Sequence, residues 1–320
     1  HRHSTYPYTT HHSSSHHTHQ SFVKTAFEDM LWLLRFRGET LGATLALWIN
    51  AVTWQIQKLL YKISHPGSTK QDFVRYILSK KPHRHWTKFP LDIGENRYYD
   101  KMLRIWLDTV GITWVYFTHP SEHPPEWLNI FCAGQIGFDI GAHRGYWSIL
   151  YQKRVLPEGL IIAWEPHPKN YQKLLENIAK NNISHIIPLR LAVWRESTLL
   201  SFEEASELDI KSFLVKAKES QKGGILATSV DKLVDSLGLP RLDWIKMDIE
   251  GAEVEALKGA MKTLSRYKPT LWIEFHDTLE ELKALLAEAN YEIKGEVHYE
   301  ATPYHRDPGY LWAVPRTSTS

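Results

Sequence analysis

The sequence predicts an α/β fold: a Rossmann-like, doubly wound, mostly parallel sheet of seven strands with an N-terminal helical extension. Short apolar runs alternate with helical patterns from residue 131 onward, which is typical of a parallel sheet covered by helices. Residues 136–145 contain an apolar strand that turns through glycine into a helix. Acidic residues also stand at the ends of several predicted strands, where open α/β sheets bind their ligands.

The turn after the strand predicted at 136–140 contains Gly141 and Gly145. A side chain there would block close approach or forbid the φ values of the turn, and the helix that follows offers N–H groups and a positive dipole end. A dinucleotide fingerprint has a second glycine where His143 stands, and Asp139 would repel a phosphate. Asp139 suits the cationic amino-acid end of S-adenosylmethionine, so the spacing favours that cofactor over NAD.

The other elements of this half follow in order. Strands are predicted at 160–165, 186–192, 244–248, 270–276, 291–297 and 311–314, with a short added strand at 199–202. Helices are predicted from near 145 to 155 and at 168–181, 230–237, 252–267 and 279–290. Residues 206–224 are polar, which indicates a surface insertion.

The chain begins with a His-rich segment, residues 1–21, that has almost no aliphatic side chains. It cannot bury enough surface to offset the entropy of ordering, so we expect a disordered tail. Imidazoles are common metal ligands, but the irregular spacing of the seven histidines argues against a metal site. They are His1, His3, His11, His12, His16, His17 and His19.

For residues 22–64 the sequence predicts an amphipathic helical segment that is a candidate for membrane association. Apolar residues recur every three or four positions, which is helical spacing: Leu41, Leu45, Trp48, Val52, Ile56, Leu59 and Ile63. No charged residue occurs between Glu39 and Lys58. Three interpretations are open: a helix packed on the domain, an interfacial membrane helix with tryptophan anchors, and a true span, which the polar residues of the segment oppose. Residues 41–63 are therefore a candidate for peripheral membrane contact.

Residues 65–130 predict an N-terminal helical subdomain. Pro66 and Gly67 break the preceding helix, and short amphipathic helices are predicted at 71–79 and 98–110. A cationic cluster between them surrounds Trp86 and consists of Lys80, Lys81, His83, Arg84, His85 and Lys88. It is either a solvated loop or a surface at the rim of the site that binds an anionic substrate or a lipid head group. A proline-rich boundary then precedes the domain predicted at 131–316.

Composition restricts the partners. A net charge of +2 gives no case for a nucleic-acid partner. Cys132 is the only cysteine in the chain, which excludes an internal disulfide and suits a reducing compartment. We therefore expect a cytoplasmic protein, at the inner face of the membrane if the helix at 41–63 is interfacial.

Candidate site residues stand at the strand ends. Glu165 follows the glycine turn by about twenty residues and suits a ribose diol. Asp248 ends a strand, Glu253 opens the next helix, and His276 ends the next strand. If these strands are neighbours, the backbones of Asp248 and His276 lie about 5 Å apart. The alternative is a helix-capping acid and a surface histidine.

Four segments together resemble the FkbM family of S-adenosylmethionine-dependent methyltransferases: Phe-Asp-Ile-Gly-Ala-His-Arg-Gly at 138–145, Trp-Glu-Pro-His-Pro at 164–168, Lys-Met-Asp-Ile-Glu-Gly-Ala-Glu at 246–253 and Ile-Glu-Phe-His at 273–276. Their order and spacing are similar to the family's over residues 131–315. The resemblance implies a Rossmann-like methyltransferase domain and O-methylation, often of sugar hydroxyls or natural products. It implies cofactor roles for Asp139, Gly141, Gly145 and Glu165, and site roles for Asp248 and His276.

The sequence therefore predicts an O-methyltransferase that acts on a hydroxyl of a sugar, glycan, glycolipid or related metabolite. His276 is the candidate general base, oriented by Asp248 or by an acid of the same turn. A divalent metal ion held by Asp248 and Glu253 is the alternative route to an activated hydroxyl. The rival classes are an NAD-dependent Rossmann oxidoreductase and a non-catalytic, membrane-attached protein that retains the fold.

Overall fold

A computed structural model of the chain describes residues 36–68, 97–101, 104–108, 111, 131–203, 213–215, 224–299 and 306–317. The chain divides into two compact units, His1–Pro124 and Pro125–Ser320. The tail predicted at 1–21, the helix predicted at 71–79 and the cationic cluster around Trp86 lie outside the described residues.

The first unit contains β1 (Phe36–Gly38), α1 (Leu41–Ser64), β2 (Arg97–Asp100) and β3 (Ile105–Asp108), with the strands in the order β1-β2-β3. The helical segment predicted at 22–64 is confirmed for α1, which packs against β1 and β2. The prediction is wrong at residues 36–38, which form β1, and residues 22–35 lie outside the described residues. The Thr40 side chain caps α1 by accepting a hydrogen bond from the Ala43 N–H at 3.0 Å. No helix in the part of the chain that the structure describes is long and apolar enough to cross a membrane.

The helix predicted at 98–110 is wrong. β2 and β3 pair antiparallel there, so the described part of 65–130 is not wholly helical. Buried and half-buried residues alternate along both strands, which is the period of two that a sheet requires. Arg104, with φ of 54°, lies just before β3. Bulky residues at every second position also match a short helical pattern, which explains the error.

The second unit contains the predicted seven-stranded sheet. Its strands are β4 (Ile136–Ile140), β5 (Leu160–Trp164), β6 (Ile186–Leu189), β11 (Trp244–Met247), β12 (Thr270–His276), β13 (Tyr291–His298) and β14 (Pro308–Pro315). Four further strands, β7 (Ala192–Val193), β8 (Thr198–Glu203), β9 (Phe213–Val215) and β10 (Ile225–Thr228), form a separate sheet in the order β7-β10-β8-β9. The short strand predicted at 199–202 is confirmed as β8.

The order of the large sheet is β13-β14-β12-β11-β4-β5-β6. The five strands from β12 to β6 run parallel, and β14 is antiparallel to both of its neighbours. The chain moves outward from β4 to β6 and then returns to β11 on the other side of β4. This reversal is a topological switch point, where open α/β sheets form a crevice at the carboxyl ends of their strands.

The helices of this unit are α2 (Tyr146–Val155), α3 (Pro168–Lys180), α4 (Val230–Leu237), α5 (Glu253–Lys258), α6 (Met261–Tyr267) and α7 (Leu279–Glu288). The single helix predicted at 252–267 is therefore two helices. Gly259 separates them, and a Cβ at this position would lie 2.4 Å from the Trp194 carbonyl oxygen. This close approach of two backbones interrupts the helical pattern.

Candidate active site

The glycine turn between β4 and α2 is held by the end of β5. The N–H groups of Gly141 and Ala142 both donate to the Trp164 carbonyl, at 3.0 and 2.9 Å. The N–H of His143 donates to Glu165 Oε2 at 2.8 Å. Three successive N–H groups are thus directed at β5 and its following residue, so they do not form a cradle for a phosphate.

The two glycines of the turn are required by backbone conformation and by packing. Gly141 and Gly145 have φ of 78° and 80°, values that disfavour residues with a Cβ. A Cβ on Gly141 would lie 1.8 Å from the Asp248 carbonyl oxygen, and one on Gly145 would lie 2.4 Å from Leu174 Cδ1. The close approach that the sequence predicts is therefore an approach to neighbouring parts of the protein.

Glu165 is almost completely buried where β5 ends. Its Oε2 accepts the His143 N–H and its Oε1 accepts the His167 N–H, each at 2.8 Å. Burial raises the pKa of Glu165 to about 7, although these hydrogen bonds, the Asn170 side chain and the charge of Lys246 act in the opposite direction. A carboxylate has about four lone-pair sites, so both oxygens keep acceptor capacity for a pair of hydroxyl groups.

Asp139 lies deeper than the sequence suggests. It is fully buried, with Oδ2 accepting a 2.6 Å hydrogen bond from the Ser148 hydroxyl and Oδ1 lying 3.3 Å from Lys246 Nζ. Its carboxylate is enclosed by these partners in this structure, and its predicted contact with the cationic end of the cofactor stays a prediction. The geometry gives Asp139 the task of fixing Lys246 beneath the turn.

Lys246 is not among the predicted site residues, although it lies in a quoted motif. Its ammonium donates to the Gly141 carbonyl at 3.2 Å and lies 3.8 Å from Asp248 Oδ2. Burial lowers the pKa of Lys246, but the charges of Asp139, Asp248 and Glu274 outweigh burial and raise it. One buried cation therefore links the glycine turn to the acids on the neighbouring strands. A lysine inside an apolar strand is the signal in the sequence.

His276 is held by Glu253. Both side chains are buried, with His276 Nδ1 2.9 Å from Glu253 Oε1. Glu253 also accepts the Gly251 N–H at 2.9 Å and the Thr278 hydroxyl at 3.1 Å. On the other side of the ring, Nε2 lies 3.4 Å from Glu250 Oε2. Glu253 and Glu250, which follow β11, thus orient the imidazole. This is the second of the two predicted arrangements, in which an acid of the same turn and not Asp248 holds the ring.

The pKa of His276 is raised to about 9. Burial lowers it, but the hydrogen bond and charge of Glu253, with the charges of Glu250 and Asp248, outweigh burial. The imidazole is therefore largely protonated near neutral pH. An imidazolium has no lone pair with which to accept a proton.

The possible metal ligands differ from the predicted pair. One ligand atom from each of Asp248, Glu274 and His276 lies within 4.8 Å of the other two. Glu253 is instead occupied by His276, Thr278 and Gly251, so the prediction of a metal held by Asp248 and Glu253 does not fit. Metals of the Mg²⁺ and Mn²⁺ type prefer carboxylate ligands, and imidazole suits several transition metals.

The register of the sheet explains this difference. Met247 of β11 pairs with Ile273 of β12. Asp248 is therefore level with Glu274, and the backbone of His276 is two residues farther along than predicted. Glu274 and His276 are two residues apart on β12, so their side chains lie on the same face of the sheet. That i, i+2 spacing is the signal in the sequence for Glu274.

Residues 139–293 match the model of the family described as the methyltransferase FkbM domain. The chain contains an FkbM methyltransferase domain. The resemblance found in the sequence is confirmed, and so is the enzyme class, a methyltransferase rather than an NAD-dependent oxidoreductase.

Two curated relatives belong to the same enzyme class. The hexuronic acid methyltransferase AglP of Haloferax volcanii is 28% identical over 178 residues, which is 55% of this chain and 67% of that protein. Methyltransferase sdnD of Sordaria araneosa is 32% identical over 152 residues, 38% of this chain and 58% of that protein. The alignments thus span between about half and two thirds of each relative's length.

Among solved structures, a methyltransferase FkbM from Methylobacillus flagellatus KT matches with a TM-score of 0.43 and 16% identity. That match covers 92% of this chain and 60% of the other.

The residues of the FkbM domain fit S-adenosylmethionine. Glu165 has acceptor capacity for the ribose hydroxyls, and the N–H groups of the turn are already bonded, which suits a nucleoside without phosphate. Bound S-adenosylmethionine supplies an electrophilic methyl group on a sulfonium. Gly141 and Gly145 shape the turn, Lys246 neutralises the buried acids, and ligand atoms of Asp248, Glu274 and His276 lie close together at the ends of β11 and β12.

Proposed function

We propose that the chain is an S-adenosylmethionine-dependent O-methyltransferase that acts on a hydroxyl of a sugar, glycan, glycolipid or related metabolite. The observation that supports it best is the convergence of Asp248, Glu274 and His276 at the switch point, beside the turn that Glu165 holds. A relative named for hexuronic acid supports a sugar acceptor. Methyl transfer is a direct displacement, so positioning the acceptor oxygen in line supplies much of the acceleration.

A sugar hydroxyl is a weak nucleophile near neutral pH and needs help to lose its proton. A pKa of about 9 leaves His276 mostly protonated at pH 7, which weighs against a histidine acting alone. We therefore favour a divalent cation held by Asp248, Glu274 and His276, which would lower the pKa of a bound hydroxyl. Glu253 then orients the His276 ring through Nδ1, and a bound cation would displace the proton of Nε2, the nitrogen that lies 3.4 Å from Glu250 Oε2.

The test is methyl transfer from labelled S-adenosylmethionine to matched oligosaccharides, one containing a uronic acid and one containing the corresponding neutral sugar. We expect a methyl ether, which survives mild alkali. An alkali-labile methyl ester on the uronic acid would instead assign a carboxylate acceptor, which is already ionised and needs no base. Transfer to nitrogen or sulfur acceptors only would overturn the proposal.

Matched variants separate the site from the rest of the domain. Asp248→Asn should lose transfer, because Asp248 is one of the three candidate metal ligands and lies 3.8 Å from Lys246 Nζ. Asp235→Asn, at an exposed acid in α4, should keep it. Equal activity of the two variants would remove Asp248 from the site.

A further inference from the structure

The helix α1 has an apolar side that the first unit does not bury. Nine large hydrophobic side chains of α1 are exposed, and we call them the apolar stripe: Leu41, Leu45, Trp48, Ile49, Val52, Ile56, Leu59, Leu60 and Ile63. Leu41 is 76% exposed, Ile49 65% and Ile63 64%. At 3.6 residues per turn these positions fall within an arc of about 120°. They form one continuous band along all 24 residues of the helix.

The apolar stripe is not the face that packs on the small sheet. Ala43 and Leu47 are buried and lie on the opposite side of α1, where the helix contacts β1 and β2. Thr44 strengthens this contact, since its hydroxyl accepts the Gly38 N–H at 2.9 Å. The helix thus already has a buried face, and the stripe is a second apolar face of larger side chains. Contiguous exposed apolar surface of this kind marks an interaction site.

The charged side chains that α1 itself carries are all positive. The sequence has no Asp or Glu between Glu39 and Asp72. Lys62 lies in the last turn of α1, about 40° outside one edge of the stripe, whereas Lys58 lies on the side of Leu47. Trp48, an aromatic residue of the kind enriched at membrane interfaces, lies within the stripe. A second copy of α1 would bring only further positive charge to this helix, whereas anionic phospholipid head groups would complement it.

We propose that α1 binds the surface of a membrane that contains anionic phospholipids. The helix lies in the plane of the interface, with the apolar stripe inserted at the level of the head groups and upper acyl chains. The positive charge near the C-terminal end of α1 adds an electrostatic, salt-sensitive part to the binding. This surface would bring the enzyme to acceptors that are attached to lipid, and it is independent of the chemistry at the switch point.

The experiment uses the full chain and sedimentation with two kinds of vesicle, pure phosphatidylcholine and phosphatidylcholine mixed with phosphatidylserine. We expect binding to the mixed vesicles, weaker binding to the neutral ones, and a loss of binding as salt is raised. Ile56→Glu places a charge in the stripe and should reduce the apparent partition about tenfold or more. The control is Gln57→Glu, which adds the same charge to the next residue, outside the stripe, and should reduce it far less.

Several results would overturn the proposal. One is the absence of binding to both kinds of vesicle, and another is an equal effect of Ile56→Glu and Gln57→Glu. A wild-type dimer that Ile56→Glu converts to a monomer would assign the stripe to a second copy of the chain. Equal binding to neutral and mixed vesicles would overturn the choice of an anionic surface. Circular dichroism of both variants, matched to wild type, ensures that a lost signal reports the surface and not unfolding.

Discussion

Glu165 is the residue whose protonation we expect to govern cofactor binding. Its carboxylate is ionised only above a pKa of about 7, and a carboxylate is the stronger acceptor for ribose hydroxyls. Glu165→Gln should weaken S-adenosylmethionine about 10- to 100-fold. Wild-type affinity should fall as pH drops through about 7, because the carboxyl group gains its proton there. Calorimetry across pH measures both. Glu158→Gln, at an exposed acid before β5, is the control, and unchanged affinity in Glu165→Gln would refute the assignment.

His276 allows a test between two ways of activating the acceptor. His276→Ala should lower turnover by about 10²–10⁴-fold under either route. If His276 acts as a base by itself, the rate should rise with pH up to about 9, where the imidazolium loses its proton. If a cation is bound, a chelator should abolish turnover, Mg²⁺ or Mn²⁺ should restore it, and Glu274→Gln should weaken metal binding. Chelator-resistant turnover would reject the metal route.

Lys246 should contribute to stability as well as to the site. Replacing it with Met leaves the buried carboxylate of Asp139 without its cation, a change that typically costs about 3–5 kcal/mol. Adding Asp139→Asn should recover part of that loss. Lys258→Met, which breaks the exposed pair with Glu255, should change stability by about 1 kcal/mol or less. Denaturant unfolding of these variants and the wild type measures this, and similar losses for the two lysines would contradict it.

At the scale of elements, the residues that follow β4 and β11 come very close to each other at Gly141. Gly141→Ala would bring a Cβ to within 1.8 Å of the Asp248 carbonyl, in addition to its positive φ. Gly238→Ala, at the end of α4, has positive φ but no atom within 4 Å of its Cβ. We expect about 1–2 kcal/mol of destabilisation for Gly238→Ala and clearly more for Gly141→Ala. Equal thermal unfolding of the two variants would show that the backbone moves to accept the methyl group.

At the scale of the whole molecule, the cofactor should stabilise one compact unit. S-adenosylmethionine at about 100 times its Kd should raise the free energy of unfolding by about 2.7 kcal/mol. In hydrogen exchange, we expect the added protection in the strands that surround Gly141 and Glu165, and none in α1. NAD at the same concentration should give no protection. Equal protection in α1 and in the strands would indicate that the two units unfold together.

The sequence predicts this fold well because most strands of the central sheet are short, mainly apolar segments that alternate with helical patterns. It predicts the side-chain roles less well, because strand ends are visible in a sequence and strand register is not. The sequence therefore pairs Asp248 with His276 and misses Glu274. Burial is also invisible: Asp139 and Glu253 are expected at a ligand, but each is enclosed and holds another side chain. In the first unit, the short β2 and β3 match a helical spacing equally well.

The hydrogen bonds of the glycine turn have a consequence for redesign. His143→Gly would restore the second glycine of a dinucleotide fingerprint, two residues after Gly141. The three successive N–H groups of the turn would nevertheless still be committed to Trp164 and Glu165. A pyrophosphate would find neither free donors nor a neutral neighbour there. The choice of cofactor in this domain therefore depends on the acceptors of the N–H groups of the turn. A change of cofactor would require other residues in place of Trp164 and Glu165 at the end of β5.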